Sequence, residues 1–114
     1  MTATQRTLKY IKDLGLTADI VERFIKPKGT YGFRKDYLNF ADIIAFSEAD
    51  GIIAIQSTVY KELKRHKDKY KNNHYINLWL KSGGKFWIIA WKKVKKSKTD
   101  KRKVWMPIIE EYKL

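Results

Sequence analysis

The 114-residue chain contains no cysteine. A disulfide framework, thiolate-bound zinc and thiol catalysis are therefore excluded. The absence fits an intracellular, cytoplasmic protein. The two histidines, His66 and His74, have no partner at metal-ligand spacing, so histidine-held zinc has no support either. No apolar run approaches the length of a membrane span, and no signal peptide is evident at the N-terminus. There is no glycine-rich phosphate loop and no supported Ser-His-Asp set. Acid is scarce: 12 Asp and Glu stand against 25 Lys and Arg, a formal charge of +13. Such a surplus bears on partners and solubility rather than on fold. Nucleic acid is the first candidate partner, because phosphate neutralisation supplies most non-specific affinity. An anionic membrane surface ranks second and an acidic protein third, and no membrane partner is expected from the chain as a whole.

What is present is centred on Phe40 to Thr58, FADIIAFSEADGIIAIQST. Phe40–Phe46 and Gly51–Ser57 read as two strands. Ser47 to Gly51 are turn-type residues that favour a tight antiparallel connection. Isoleucine and small residues in both runs suit strands buried on both faces. Asp42 therefore sits in an apolar strand, and Gln56 near the end of its neighbour. Gln56 and Thr58 share a face, roughly 7 Å apart. A turn centred near Ala49 places Asp42 across from Gln56. A carboxylate and a neutral oxygen, with a carbonyl between, form a set that Mg²⁺ accepts while keeping several waters. The plainer alternative is that Asp42 caps a helix or pairs with a lysine, and Gln56 satisfies a backbone group.

The rest of the chain reads as one domain, 1–114, large enough for one core of sheet and helices. Thr4–Leu14 is a short amphipathic helix, with Leu8, Ile11 and Leu14 at helical spacing, Thr4 as cap and Gly15 as stop. Ala18–Ile25 follows as a strand, with a mixed pattern that also allows a helix, and Pro27 and Gly29 break the chain. Lys26–Asn39 is a basic loop that includes Lys28, Arg34 and Lys35 and three aromatics, Tyr31, Phe33 and Tyr37. Cations interleaved with aromatics can grip a backbone and stack on an unpaired base. The alternative is a solvated loop anchored by its rings.

Val59–Lys71 reads as a helix with Val59, Leu63, His66 and Tyr70 on one stripe. Its other faces carry Lys61, Lys64, Arg65, Lys67, Lys69 and Lys71. Tyr75–Lys81 resumes the helix, and Ser82-Gly83-Gly84 ends it. Phe86–Trp91 is the strongest strand and is expected at the centre of the sheet. Val104–Ile109 is a last strand, placed at an edge by Pro107. Lys92–Lys103 between them is a basic hairpin or flexible arm; Lys95, Lys96, Lys101 and Arg102 are read as phosphate contacts, the alternative being a solvated face. The order is α-β-β-β-α-β-β, an α/β or α+β domain with a mixed sheet flanked by helices.

That order, with Asp42 in the second strand and Gln56 late in the third, resembles the PD-(D/E)XK nuclease superfamily. The group includes many restriction endonucleases and the archaeal Holliday junction resolvases. Arg34, Asp36, Leu38, Phe40 and Asp42, then Ile55, Gln56 and Thr58, then Trp79, Leu80, Gly83 and Gly84 resemble small phage-type nuclease-like proteins of this group. The resemblance implies a restriction endonuclease-like core and a Mg²⁺- or Mn²⁺-dependent DNA endonuclease, structure-selective and phage-encoded in kind. It makes Asp42 the metal carboxylate, Gln56 the second ligand and Ser57 a carbonyl ligand. The signature lysine falls at Thr58, which carries no charge. Lys61 or Lys64, in the following helix, is the expected substitute, and Asp36 and Glu22 are candidates for a second carboxylate. Lys28, Arg34, Lys35, Lys64, Arg65, Lys95, Lys96, Lys101 and Arg102 are the expected nucleic-acid contacts. DNA is the implied partner, with RNA left open. A homodimer is implied by resemblance, with Trp105 or Tyr112 at its interface or in the core. Two other functions stand beside the nuclease: a nucleic-acid binder with a nuclease-like fold and an inactive site, and a basic adaptor for an acidic protein.

Overall fold

The computed structural model describes residues 1–113. Helix α1 (Ala3–Asp13) opens the chain and strand β1 (Thr17–Ile20) follows. Strands β2 (Arg23–Ile25) and β3 (Phe33–Lys35) make a separate two-stranded hairpin. Strands β4 (Ile43–Ser47) and β5 (Gly51–Val59) come next, then a single 3-10 turn at Tyr60–Glu62. Helices α2 (Leu63–Tyr70) and α3 (His74–Lys81) lead to β6 (Lys85–Lys95) and β7 (Lys103–Tyr112). The main sheet has the order β1-β4-β5-β6-β7. Among the described residues only β5 and β6 pair in parallel. A parallel pair needs a long crossover, and α2 and α3 supply it. The fold is α+β with a mixed sheet, as expected.

The two cores follow from the two-residue period of the strands. Ile43, Ala45, Ile53, Ile55, Ile89 and Trp91 pack with Ile11 of α1. Ala54, Phe86, Ile88 and Ala90 pack with Phe40, Leu63, Tyr70 and Ile76 on the other face. The middle of the sheet is therefore buried on both sides, which is why its strands lack polar alternation. Phe86 meets Phe40 and Tyr70 edge-on, with centroids 5.4 and 5.6 Å apart. Such pairs contribute roughly 0.5–1.5 kcal/mol each beyond their buried area. They fix α2 against the sheet.

Several local readings are corrected. The cap of α1 is Thr2, not Thr4. Its hydroxyl accepts from Gln5 N–H at 3.1 Å, and the Gln5 side chain accepts from Thr2 N–H at 2.8 Å. The helix starts one residue early, at Ala3, because this reciprocal pair satisfies two free donors. Leu14 is half exposed, while Thr7 is buried in its place and accepts from the Trp91 indole at 2.8 Å. Ala18–Ile25 is not one strand. β1 runs beside β4 only as far as Ile43, and beyond that the chain turns away into the second sheet. The presumed loop Lys26–Asn39 thus contains β3. The helix expected from Val59 begins at Leu63, because β5 continues through Val59 along β6. Lys92–Lys103 is an ordered hairpin, with β6 and β7 paired as far as Lys95 and Lys103. Asp100 N–H donates to Ser97 Oγ at 3.1 Å, and Arg102 pairs with Asp100. β6 is next to the edge rather than central, and β5 takes the middle. β7 is the edge strand, the position at which a proline within a sheet is tolerated. Tyr112 packs on Phe86 at 5.0 Å, and Trp105 lies partly exposed under Arg6 and Lys93.

Candidate metal centre

The turn between β4 and β5 centres on Ala49, with Ser47 opposite Gly51. Ser47 Oγ accepts from Asp50 N–H at 3.0 Å, and Gly51 takes a φ of +77° that favours glycine. This register pairs Ile43 with Ile55, so Asp42 falls beside Gln56. Asp42 N–H donates to the Ile55 carbonyl at 3.0 Å, and Val21 N–H donates to the Asp42 carbonyl at 2.9 Å. The backbone of Asp42 is thereby held from both neighbouring strands.

Two further acids reach Asp42 because of how the chain leaves and re-enters the main sheet. It departs just after Val21, makes the β2–β3 hairpin, and returns at Asp42. Glu22 lies at the exit and Asp36 on the return path. A tight turn from Asp36 to Ala41 closes the return, with Tyr37 N–H donating to the Ala41 carbonyl at 2.7 Å. Leu38 and Asn39 in that turn have φ of 49° and 64°. A leucine in this region is uncommon and costs on the order of 1 kcal/mol. The strain is confined to the turn that sets Asp36 in place. One oxygen from each of Glu22, Asp36 and Asp42 lies within 4.8 Å of the other two.

The chemistry of this group is dominated by Asp42, which is 3% exposed. Its Oδ2 accepts from Ser57 N–H at 3.2 Å and from Thr4 Oγ1 at 3.4 Å. Its Oδ1 is buried with no partner among the described residues. Burial pushes the Asp42 carboxyl up to about 8, against the Ser57 bond, with Asp36 and Glu22 adding to the rise. Burial also raises Asp36, with Glu22 adding and Lys69 opposing. Once ionised, a buried carboxyl with an unpartnered oxygen beside two more acids is costly unless a proton or a cation neutralises it. The donor set is all oxygen, and one or two carboxylates with waters and a phosphate are what Mg²⁺ or Mn²⁺ takes. The residues fit a divalent cation.

Gln56 and Thr58 have other parts than the sequence suggests. Hydrogen-bond complementarity turns the Gln56 amide nitrogen toward the acids. It lies 3.0 Å from Asp36 Oδ2, 3.1 Å from the Phe40 carbonyl and 3.2 Å from the Tyr70 hydroxyl, and its two hydrogens serve the two nearer acceptors, Asp36 and Phe40. The opposite orientation sets the amide oxygen against a carboxylate and a carbonyl. Gln56 thus holds Asp36 in position rather than offering its oxygen to the centre. Ser57 contributes its N–H to Asp42, and its buried hydroxyl has no partner among the described residues. The Thr58 hydroxyl lies near the Val59 carbonyl, at 3.5 Å.

The expected substitutes for the lysine are elsewhere. Lys61 and Lys64 line a cleft with Tyr60 and with Ile108 and Glu110 of β7. The cation whose charge reaches Asp36 is Lys69, on α2. In the sequence it is one of six cations on a helix, and helical spacing shows faces but not which face meets the sheet. Thr4, in the sequence a candidate cap, instead bonds Asp42. Arg34 is bound to Glu22 at 2.7 Å, so it belongs to the rim of the acid group. Arg65 is paired with Glu62 at 2.6 Å. His66 stacks on Tyr70 at 5.9 Å, and burial lowers its pKa; neither histidine joins the acids.

The remaining predicted contacts, Lys28, Lys35, Lys95, Lys96, Lys101 and Arg102, are all exposed. The β6–β7 hairpin extends from the sheet end at which β5 passes Gln56, because β5 and β6 run parallel with Gln56 beside Ile88. At about 3.3 Å per residue, Lys95 lies roughly 20 Å further along that direction. No helix among the described residues is long and apolar enough to cross a membrane. No family model, curated protein or solved structure matches the chain.

Proposed function

We propose that the protein is a metal-dependent endonuclease acting on DNA, with its centre at Glu22, Asp36 and Asp42. The observation that carries this reading is the unpartnered, buried Oδ1 of Asp42 beside two other carboxylates in a chain of net charge +13. An acid group inside so basic a protein suits a polyanionic substrate that arrives with divalent cations. The resemblance to the PD-(D/E)XK superfamily supports the same reading, with Glu22 and Asp36 taking the place given to Gln56. A divalent cation at these carboxylates supplies charge stabilisation at a phosphoryl group and acidifies water. The chain itself holds Asp42 through Ser57 and Thr4, and Asp36 through Gln56. Cations along the β2–β3 and β6–β7 hairpins neutralise the flanking phosphates.

A second reading, a binder without turnover, is favoured by the uncharged Thr58. Labelled single-stranded, duplex and four-way-junction DNA, incubated with Mg²⁺ or Mn²⁺ and with EDTA, separates the two. Metal-dependent cutting by the wild type, lost in Asp42→Asn, supports the nuclease. Binding without cutting in any metal overturns it in favour of the binder. Loss of both binding and cutting at physiological salt overturns both and leaves an acidic protein as the partner.

A further inference from the structure

A cleft of about 400 Å³ lies between the β2–β3 hairpin and α2. Phe33, Arg34 and Lys35 form one wall, Lys69 the other, and Asp36 is part of its lining. It is therefore contiguous with the acid centre through a shared carboxylate. Its volume is at the lower end of ligand pockets, about 300–1,000 Å³, which suits one nucleotide rather than a duplex. Lys35 and Lys69 form no ion pair among the described residues, while Arg34 is tied to Glu22. Lys69 Nζ lies 5.3 Å from the Tyr70 ring centroid, and the Tyr70 hydroxyl meets Gln56, which donates to Asp36.

The hairpin that forms the cleft is itself unusual in composition. From Arg23 to Lys35 it holds five cations and no acid. Three rings on it are open to solvent: Phe24 at 64%, Phe33 at 53% and Tyr31 at 99%. Tyr31 has no packing role at that exposure. The Phe24 ring closes over Gly32, where an added Cβ would come within 2.5 Å of it at a φ of +87°. Exposed rings beside unpaired cations match an unstacked base joined to a phosphate, and a duplex hides its base faces from such rings.

We propose that this cleft is a subsite for one unpaired nucleotide of a DNA strand, with its phosphate between Lys69 and Lys35 beside Asp36 and its base against Phe33. The strand then continues along the hairpin toward Tyr31. Lys69 puts a positive charge next to the acid centre where Thr58 has none. The subsite deepens the nuclease reading by naming a single-stranded or branched substrate, but its binding is measurable without turnover.

The test is fluorescence anisotropy of a labelled 12-nucleotide single strand and of the corresponding duplex, in EDTA and over a range of salt. Lys69→Met and Phe33→Ala are each expected to weaken single-strand binding about tenfold, the scale of one lost base stack or a desolvated phosphate contact. Duplex binding should fall about twofold or less. Lys12→Met, on α1, controls for the loss of one charge. Thermal melts of both variants should match the wild type, since both side chains are exposed. Lys69→Met and Phe33→Ala behaving like Lys12→Met would overturn the subsite. Equal losses on duplex and single strand would overturn the unpaired-nucleotide assignment. Selective single-strand losses with no cleavage in any metal would keep the subsite and remove the nuclease. Where the wild type does cut, Lys69→Met should lose at least a hundredfold in rate and Lys69→Arg much less. Cutting abolished by Lys61→Met and not by Lys69→Met would refute the role of Lys69.

Discussion

Replacing Asp42 with asparagine separates what the centre costs the fold from what it does for function. In the unfolded chain this carboxyl titrates near 3.8, and in the fold it is pushed up to about 8. Between those values the folded protein holds a proton that the unfolded chain has lost. Unfolding then releases a proton, so stability falls as pH rises through the window. Below about pH 4 both states are protonated and no penalty exists; above about pH 8 both are ionised and the whole penalty is present. Four units at about 1.4 kcal/mol each set a ceiling of roughly 5–6 kcal/mol. Relaxation and sharing of charge with Asp36 and Glu22 bring the expected effect to roughly 2–4 kcal/mol. Asparagine keeps the shape and an oxygen for Ser57 and Thr4, and it carries no charge. In urea denaturation with EDTA, the wild type should lose stability from pH 5 to pH 8.5. Asp42→Asn should show a much shallower fall and be the more stable protein at pH 8.5. A flat wild-type profile, or an Asp42→Asn protein less stable than wild type at pH 8.5, would refute the electrostatic account. A stabilised variant that no longer cuts DNA would also show that lost cleavage is not lost folding.

Three further outcomes follow from other contacts. Mg²⁺ or Mn²⁺ should raise the melting temperature more at pH 8.5 than at pH 6, because it must displace the Asp42 proton at the lower value; equal shifts at both would place the cation elsewhere. Neutralising Lys95, Lys96, Lys101 and Arg102 together should flatten the log-log salt dependence of duplex binding by about 3–4, at about 0.9 per lost phosphate contact, and an unchanged slope would remove the β6–β7 hairpin from the interface. Thr7→Val should cost about 1–3 kcal/mol in urea denaturation, because it leaves the buried Trp91 indole N–H without an acceptor; a neutral result would mean that water replaces the hydroxyl.

Periodicity and turn chemistry were enough for two paired runs around Ala49 and the register that sets Asp42 beside Gln56, although the first strand starts at Ile43 rather than Phe40 and leaves Asp42 just before it; proline chemistry was enough for the edge position of the Pro107 strand. These are local properties: alternation of side chains, turn chemistry and the missing N–H of proline act within a few residues. The sequence offers Glu22 and Asp36 as candidate carboxylates but does not place them, because their approach depends on the chain leaving the sheet after Val21 and returning at Asp42. Nothing in the run ADIVERFI marks that departure; pairing along β4 ends at Ile43, with one further bond from Val21 N–H to the Asp42 carbonyl. Gln56 was legible as a polar residue in an apolar strand, but whether its nitrogen or oxygen faces the acids is decided by Asp36, Phe40 and Tyr70, which come from other parts of the chain. Lys69 was one of six similar helix cations until the packing of Tyr70 under α2 turned it toward the cleft beside Asp36. The sequence determined which segments are buried and that the protein carries a large positive charge. The tertiary structure decided which acids converge and which lysine faces them, because distances between residues remote in sequence are set by packing and not by local pattern.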